Sequence, residues 1–558
     1  MRAFVITAFC LLSIAYGDQH QPVRHATGTN GVVATVHPLA SKIALDILKE
    51  GGNAVDAAVG AGLALGVVDG FNSGIGGGCF MVIHASNGEI FTIDGRETAP
   101  AAAHRDMFLR EGKAVSDLSR KGPLAVGVPG ALAAYAEALE GHGSKTLAQV
   151  ITPSVAIARD GFVLGKDYVR RLGGAVEKLR EFPGASAIFL NDAHALQVGD
   201  RLIQIDLANT YESVAKDGLD HFYRGPLSKA VAAWMKEHGG ILTETDFANY
   251  QPKRRAPVRT TYRDHEIIGM PPPSSGGIHV AQILNMLETF DLASMDETDR
   301  LHVIAESMKL AFVDRAHWLG DADFTKVPKG LIDKVYAKTL ARRIDLNKAI
   351  DVPTHGTPDG SDSDWFGKHT THFCVADKAG NWVACTQTVN TTYGSGVVVP
   401  GTGVVLNNEM DDFAAQPGVP NAFGLLGSDA NAVAPGKRPL SSMSPTIVLK
   451  DGKPVFSVGA AGGPTIITQA LQAIVRRIDL KQPLTQCLKA PRIHHQWRPN
   501  QLRVERAMPQ EIQDALKAKG HMVAATSGLG VSQALSLEAD DTLAAQSDPR
   551  VNGSALGF

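Results

Sequence analysis

The stretch "GKHTTHFCVADKAGNW", Gly367–Trp382, sets two hydroxyl side chains, Thr370 and Thr371, between His369 and His372. A threonine hydroxyl is a weak nucleophile that becomes useful only when a base takes its proton. The two histidines are the obvious bases, yet a Thr-Thr pair entering a strand is also ordinary β-branched filler. The residues after the pair read as a hairpin. If Lys378-Ala379-Gly380 is a three-residue loop with Gly380 left-handed, Asp377 faces Asn381. Counting outward puts Cys374 opposite Ala384 and Thr370 opposite Thr388, with Asn390 on the face of Thr388 and Thr371 on the other face. This register predicts no Cys374–Cys385 disulfide; a two-residue loop would align those cysteines instead.

Other polar groups recur beside glycine-rich turns: "IDGRETAP", "PPPSSGGIH", "TVNTTYGSG", "LNNEMDDF", "KRPLSSMSPT" and "VGAAGGPT". Each alone is explained as turn chemistry. "SGIGGGCF" invites a nucleotide-loop reading, but Cys79 stands where the third glycine is needed and no P-loop lysine follows. A glycine corner for close backbone packing fits better. No serine sits in the G-x-S-x-G elbow of a serine hydrolase. His494 and His495 are adjacent, so their side chains diverge, and no further metal ligand stands at a useful spacing.

The elements that must position these groups follow from periodicity. Apolar residues at Leu39, Ile43, Ile47 and Leu48 predict an amphipathic helix, ended by Gly51-Gly52. Asn53 caps a second helix, "NAVDAAVGAGLALGVV", apolar nearly all round and therefore buried in a layer. "CFMVIH" and "EIFTIDGR" read as strands about a turn at Asn87-Gly88. A long helix is expected around "LHVIAESMKLAFVDRAHWLG". Strands return with "THFCVA", "NWVACTQTVN", "GVVLNN" and "PTIVLKDGKPVFSVG", the last folded at Asp451-Gly452. Helices and hairpins alternate with no linker dividing them, which predicts one α/β unit with antiparallel sheet between helical layers.

With 558 residues, 44% of them hydrophobic and 20% charged, the chain has the composition of a large globular protein. Its net charge of −3 supplies no electrostatic footprint for nucleic acid or anionic membrane. "MRAFVITAFCLLSIAYG" reads as a signal peptide over residues 1–17, and no segment predicts a stable membrane span. The four later cysteines, Cys79, Cys374, Cys385 and Cys487, match no zinc pattern or disulfide scaffold.

Taken together, and most specifically in "TTHFCVADKAGN", "LNNEMDDF" and "KRPLSSMSPT", these residues resemble the γ-glutamyltranspeptidase (γ-glutamyltransferase) family of N-terminal-nucleophile hydrolases. The similarity runs from "GGNAVDAAV" to "SDPRVNGSALGF". It implies an αββα four-layer sandwich and self-cleavage between His369 and Thr370. The products would be a large subunit, 18–369, and a small subunit, 370–558, held as an obligate heterodimer. Cleavage turns the amide nitrogen of Thr370 into an amine of ordinary pKa about 7.7–8.0, which can activate its own Oγ1. The resemblance further implies that Thr388 stands beside the nucleophile and that Gly462 and Gly463 form the oxyanion hole. Arg96, Ser441 and Ser442 would hold a substrate α-carboxylate, and Asn390, Glu409 and Asp412 its α-ammonium. Glutathione and other γ-glutamyl compounds are the implied substrates, and water, amino acids or peptides the acceptors. No metal or organic cofactor is implied. The signal peptide predicts export, to the periplasm in the first reading and with secretion as the alternative. Cys374 replaces a common serine, and Phe423, in "PGVPNAFGLLG", replaces a tyrosine that some members carry on the loop over the pocket.

Two other readings compete. A related acylase would cleave glutaryl amides of the cephalosporin type; such a substrate has no α-ammonium, which would leave Asp412 and Glu409 without a charge partner. An exported binding protein on the same scaffold would never mature.

Overall fold

The computed structural model describes residues 22–358, 371–416, 419–425 and 429–558. The expected signal peptide and both residues of the expected cleavage bond, His369 and Thr370, lie outside these. Two seven-stranded sheets, antiparallel throughout, lie face to face. One runs Lys253–Arg255, Ile90–Gly95, Gly78–His84, Trp382–Thr388, Thr371–Asp377, Gly31–Thr35, Ser554–Gly557. The other runs His25–Gly28, Leu543–Ser547, Val531–Leu537, Lys453–Ala461, Thr446–Lys450, His265–Gly269, Val258–Tyr262.

Three apolar layers hold this stack together. Phe80, Val82, Trp382, Ile447 and Leu535 fill the space between the sheets. Helices Pro38–Lys49 and Ala54–Val68 cover the outer face of the first sheet. Helices Gly276–Leu287, Glu297–Trp318 and Thr465–Ile478 cover the second. The order is the expected αββα.

Local chemistry accounts for the elements. Asn53 and Asp56 form a reciprocal capping box at the start of Ala54–Val68, and every residue of that helix is buried. Asp451 and Gly452 both take positive φ, +50° and +76°, as a two-residue hairpin turn requires. Gly380 is left-handed at +92°, the register pairs Thr371 with Gln387 and Cys374 with Ala384, and Asp377 N–H bonds Asn381 O. The cysteines of the described chain are free.

Two expectations fail. "GVVLNN" forms no strand: it contributes one isolated bridge, Val405 to Val398. Its backbone is taken by irregular partners instead, Leu406 N–H by Val397 O and Asn407 N–H by Gly76 O. Asn390 does not continue the alternation of its strand, which ends at Thr388. It turns left-handed, φ +73°, and donates its N–H to Thr388 Oγ1 at 2.7 Å.

Candidate active site

Antiparallel neighbours exchange ends, and this brings the candidate residues together. In the first sheet the strand starts Gly78 and Thr371 lie at the same end as the strand finishes Gly95 and Thr388, since Gly78 pairs with Thr388, Cys79 with Gly95 and Thr371 with Gln387. In the second, Thr446 pairs with Val458, so Ser441–Ser444 and Gly462–Gly463 leave the sheet side by side. The sheets meet closely here: a Cβ on Gly459 would fall 2.3 Å from the ring of His372.

The glycine corner "GIGGGC" makes the first sheet's end possible. A Cβ on Gly76 would lie 2.2 Å from Val405 O, one on Gly77 1.8 Å from Thr388 O, and one on Gly78 2.4 Å from a Glu97 carboxyl oxygen. No side chain fits between these strands and Thr388.

Arg96 emerges from the same end and is fully buried. Its Nε donates to Pro439 O at 3.0 Å and Nη2 to Leu440 O at 3.2 Å, which ties it to the segment leading into Ser441 and Ser442. Nη1 and Nη2 make short ion pairs with Glu409 and Asp412. This corrects one expectation: the two carboxylates have a charge partner within the protein, Arg96 itself. The adjacent acids Asp411 and Asp412 diverge. Asp411 takes Ser119 Oγ at 2.6 Å and Ala422 N–H at 3.2 Å, away from Arg96.

Sequence reasoning missed Glu97 and Arg315. Glu97 is buried, 3.7 Å from Arg96 Nη1. Three carboxyls therefore share one guanidinium. Burial pushes Glu97 up to about 7 against the pull of Arg96, and pushes Glu409 well above the carboxylate range. Burial alone would lower Arg96, but Glu409, Asp412 and Glu97 hold it above its ordinary value. Arg315 reaches in from helix Glu297–Trp318 to Ser442 and Ser275. The sequence signal for Arg315 is slight, an Asp314-Arg315 pair directly after the apolar run Leu310–Val313; Glu97 follows Arg96 directly in "DGRETAP".

The remaining candidates have local partners. Ser441 Oγ accepts Met443 N–H at 3.1 Å, and its carbonyl takes both N–H and Oγ of Ser275. Asn390 Nδ2 donates to Asn408 O at 2.9 Å, which keeps it beside the Glu409–Asp412 turn. Gly462 and Gly463, φ +130° and +68°, lead through the N-cap Pro464 into helix Thr465–Ile478, and Thr465 Oγ1 donates to Gly462 O at 2.7 Å. Backbone N–H groups at a helix N-terminus favour developing negative charge.

Of the histidines raised by the sequence, those among the described residues have structural partners. His372 is buried between the sheets against Thr386 Oγ1 and Cys374 Sγ, and burial lowers it to about 3. His494 and His495 hold different partners, Thr468 and Gln496 for one, Asn500 and Trp497 for the other. Among the described residues His302, Glu306 and His521 bring ligand atoms within 4.8 Å of one another. They are already partnered: His302 Nε2 bonds Asp345 O at 2.7 Å, its Nδ1 faces His521 Nε2 at 2.8 Å, and Glu306 takes the Lys309 ammonium at 2.8 Å. A cation here would meet that ammonium.

Comparison with known proteins agrees with this geometry. The family model described as gamma-glutamyltranspeptidase matches residues 40–558. The chain is 44% identical to the glutathione hydrolase proenzyme of Escherichia coli K12 over 544 residues, covering 96% of this chain and 93% of that one. It is 39% identical to the acylase ACY 1 proenzyme of Pseudomonas sp. SE83, with 96% and 94% coverage. Its fold is similar to that of the cephalosporin acylase of Bacillus halodurans, with a TM-score of 0.86 at 28% identity and 99% coverage of each chain. A buried arginine among paired acids, a seryl pair and a glycine turn at one end of an αββα sandwich thus accompany similarity along nearly the whole chain: the protein belongs to the γ-glutamyltranspeptidase family.

Proposed function

We propose that the protein cuts its own chain between His369 and Thr370, and that Thr370 then transfers γ-glutamyl groups from glutathione or related amides to water or to amino acid and peptide acceptors. In this reading the signal peptide 1–17 directs export, and segments 18–369 and 370–558 stay together as one heterodimer. Among the described residues no helix is long and apolar enough to cross a membrane.

The register supports the nucleophile. Thr371 pairs with Gln387, and the same register continued by one residue would set position 370 opposite Thr388. The amine of Thr370 takes the Oγ1 proton as Oγ1 attacks the γ-amide carbonyl. The oxyanion would be met by N–H groups of Gly462 and Gly463; losing one such donor costs about 2.7–4 kcal/mol of transition-state stabilisation. The same amine returns the proton to the leaving nitrogen. Water or an acceptor amine then takes the acyl group from Thr370.

One observation carries the substrate choice: Glu97, Glu409 and Asp412 surround a single guanidinium. A substrate carboxylate alone would bring these acids no cation beyond Arg96. An α-amino acid head brings its own ammonium for Asp412, Glu409 and Asn390 while its carboxylate turns to Arg96, Ser441 and Ser442. The glutaryl reading, raised by the likeness to acylases, lacks that cation. Turnover of γ-glutamyl and glutaryl anilides by the purified protein decides between them. The γ-glutamyl anilide should be strongly preferred, and equal rates would defeat the assignment. Thr370→Ala should leave one uncut, inactive chain on denaturing electrophoresis.

A further inference from the structure

Asp69 sits at the C-terminal end of helix Ala54–Val68, almost wholly buried. It is the wrong residue for that place: a carboxylate faces the negative end of the helix dipole there, where glycine or asparagine usually closes a helix. What it holds is more telling. Its Oδ2 accepts Thr371 Oγ1 at 2.6 Å, and Asn72 Nδ2 donates to both carboxyl oxygens at 3.1 and 3.3 Å. Burial pushes this carboxyl up to about 7, and the Thr371 and Asn72 donors pull it back. The same turn takes the exit of the neighbouring strand: Asn72 O accepts Val389 N–H at 2.9 Å and Phe71 O accepts Tyr393 N–H at 2.8 Å. One turn thus grips Thr371 and the chain just beyond Thr388.

We infer that Asp69 is a positioning residue for the reaction proposed above, fixing Thr371 through its Oγ1 and so aiming the residue before it. This rests on that proposal. Thr371 is one peptide unit from the proposed scissile bond, on the strand face turned toward the helix. An anchored Thr371 removes the rotation that would let the nucleophile and its amine swing away from Thr388. A misplacement near 1 Å at such a site costs about 100-fold in rate.

The test uses the full chain. Asp69→Asn, Asp69→Ala, Thr371→Val, Thr371→Ser and the double variant Asp69→Ala/Thr371→Val are compared for the rate of self-cleavage, and for kcat and KM with a γ-glutamyl anilide after maturation. Asp69→Ala and Thr371→Val should each slow cleavage and lower kcat by about 10- to 100-fold with KM within about twofold. The double variant should be no worse than the poorer single one, and Thr371→Ser, which keeps the hydroxyl, should behave as the parent. Asp69→Asn keeps the shape and guards against a folding defect in the alanine variant. Parent-like cleavage and kcat in Asp69→Asn and Thr371→Val would overturn the inference, as would a rise in KM alone, additive losses in the double variant, or failure of Thr371→Ser to rescue. Thr370→Ala runs in parallel. If it still matures and turns over, the underlying reaction is wrong; if it is dead while the Asp69 and Thr371 variants are normal, only the positioning role falls.

Discussion

Arg315 Nη2 donates to Ser442 Oγ at 2.7 Å, joining an outer helical layer to the seryl pair. The same guanidinium reaches Ser275 Oγ through Nε at 2.8 Å, and the carbonyl of Ser441 takes Ser275 in turn. Burial lowers Arg315 to about 9, with Asp412 opposing. It is still a cation at neutral pH. Accepting from a cation orients a hydroxyl as a donor, the polarity that suits a carboxylate.

Arg315→Lys should therefore weaken substrate binding although it keeps the charge, because an ammonium cannot serve two serines through a planar fork. Losing a charge-assisted hydrogen bond is worth about 1.5–3 kcal/mol, so KM for a γ-glutamyl anilide should rise about 10- to 100-fold, with a smaller change in kcat. Steady-state kinetics on matured protein check this.

Asp411 and Asp412 are neighbours with unequal duties, and their asparagine variants should separate. Asp412→Asn breaks a buried ion pair with Arg96, a change that costs about 3–5 kcal/mol, and should lower the thermal midpoint as well as raise KM. Asp411→Asn loosens Ser119 and the N–H of Ala422, and its effect should fall on the 419–425 segment. Limited proteolysis of that segment should accelerate in Asp411→Asn while KM moves by less than in Asp412→Asn.

The third carboxyl gives the site a pH dependence of definite sign. Glu97 is pushed up to about 7 by burial, so raising the pH through that value adds a negative charge beside Arg96. That charge favours a substrate ammonium, and KM should fall between about pH 6 and pH 8. Glu97→Gln should flatten this limb; an unchanged KM profile in that variant would assign the titration elsewhere.

Gly77→Ala should be far worse than Gly88→Ala. The former would drive a methyl to 1.8 Å from the backbone oxygen of Thr388, which cannot give way; the latter meets nothing within 4 Å and carries only the strain of φ +84°. Overpacking at Gly77 should cost about 3 kcal/mol or more, against roughly 1 kcal/mol at Gly88. Soluble yield and thermal midpoint measure both.

Much of this was legible in the sequence because it is local. Alternation, the Asn53 cap, the left-handed Gly380 and the Asp451-Gly452 turn act within a few residues, so the helix layers and hairpin register could be counted out. Arg96, Glu409, Asp412 and the seryl pair were reached through motif resemblance, and the structure does bring Arg96 against both acids. What stayed hidden depends on distant partners. Asp69 meets Thr371 across 302 residues of chain and Arg315 meets Ser442 across 127. "GVVLNN" has a strand's composition, but Asn407 is claimed by Gly76, far upstream, and no ladder forms. That Arg96 would occupy the carboxylates itself is decided by burial, which no motif states.

The strand order has one more consequence. Thr371–Asp377 and Trp382–Thr388 lie between Gly78–His84 and Gly31–Thr35, and Ser554–Gly557 closes the far edge beyond Gly31–Thr35. Segments from either side of position 370 alternate across one sheet. Once the backbone is cut there, neither piece can leave without tearing a continuous hydrogen-bonded ladder, and neither can rebuild it alone. Unfolding of the cut protein would then be a one-way event: return becomes a second-order encounter between two incomplete halves, slower on dilution and exposed to aggregation, whereas the uncut chain refolds at a rate indifferent to concentration.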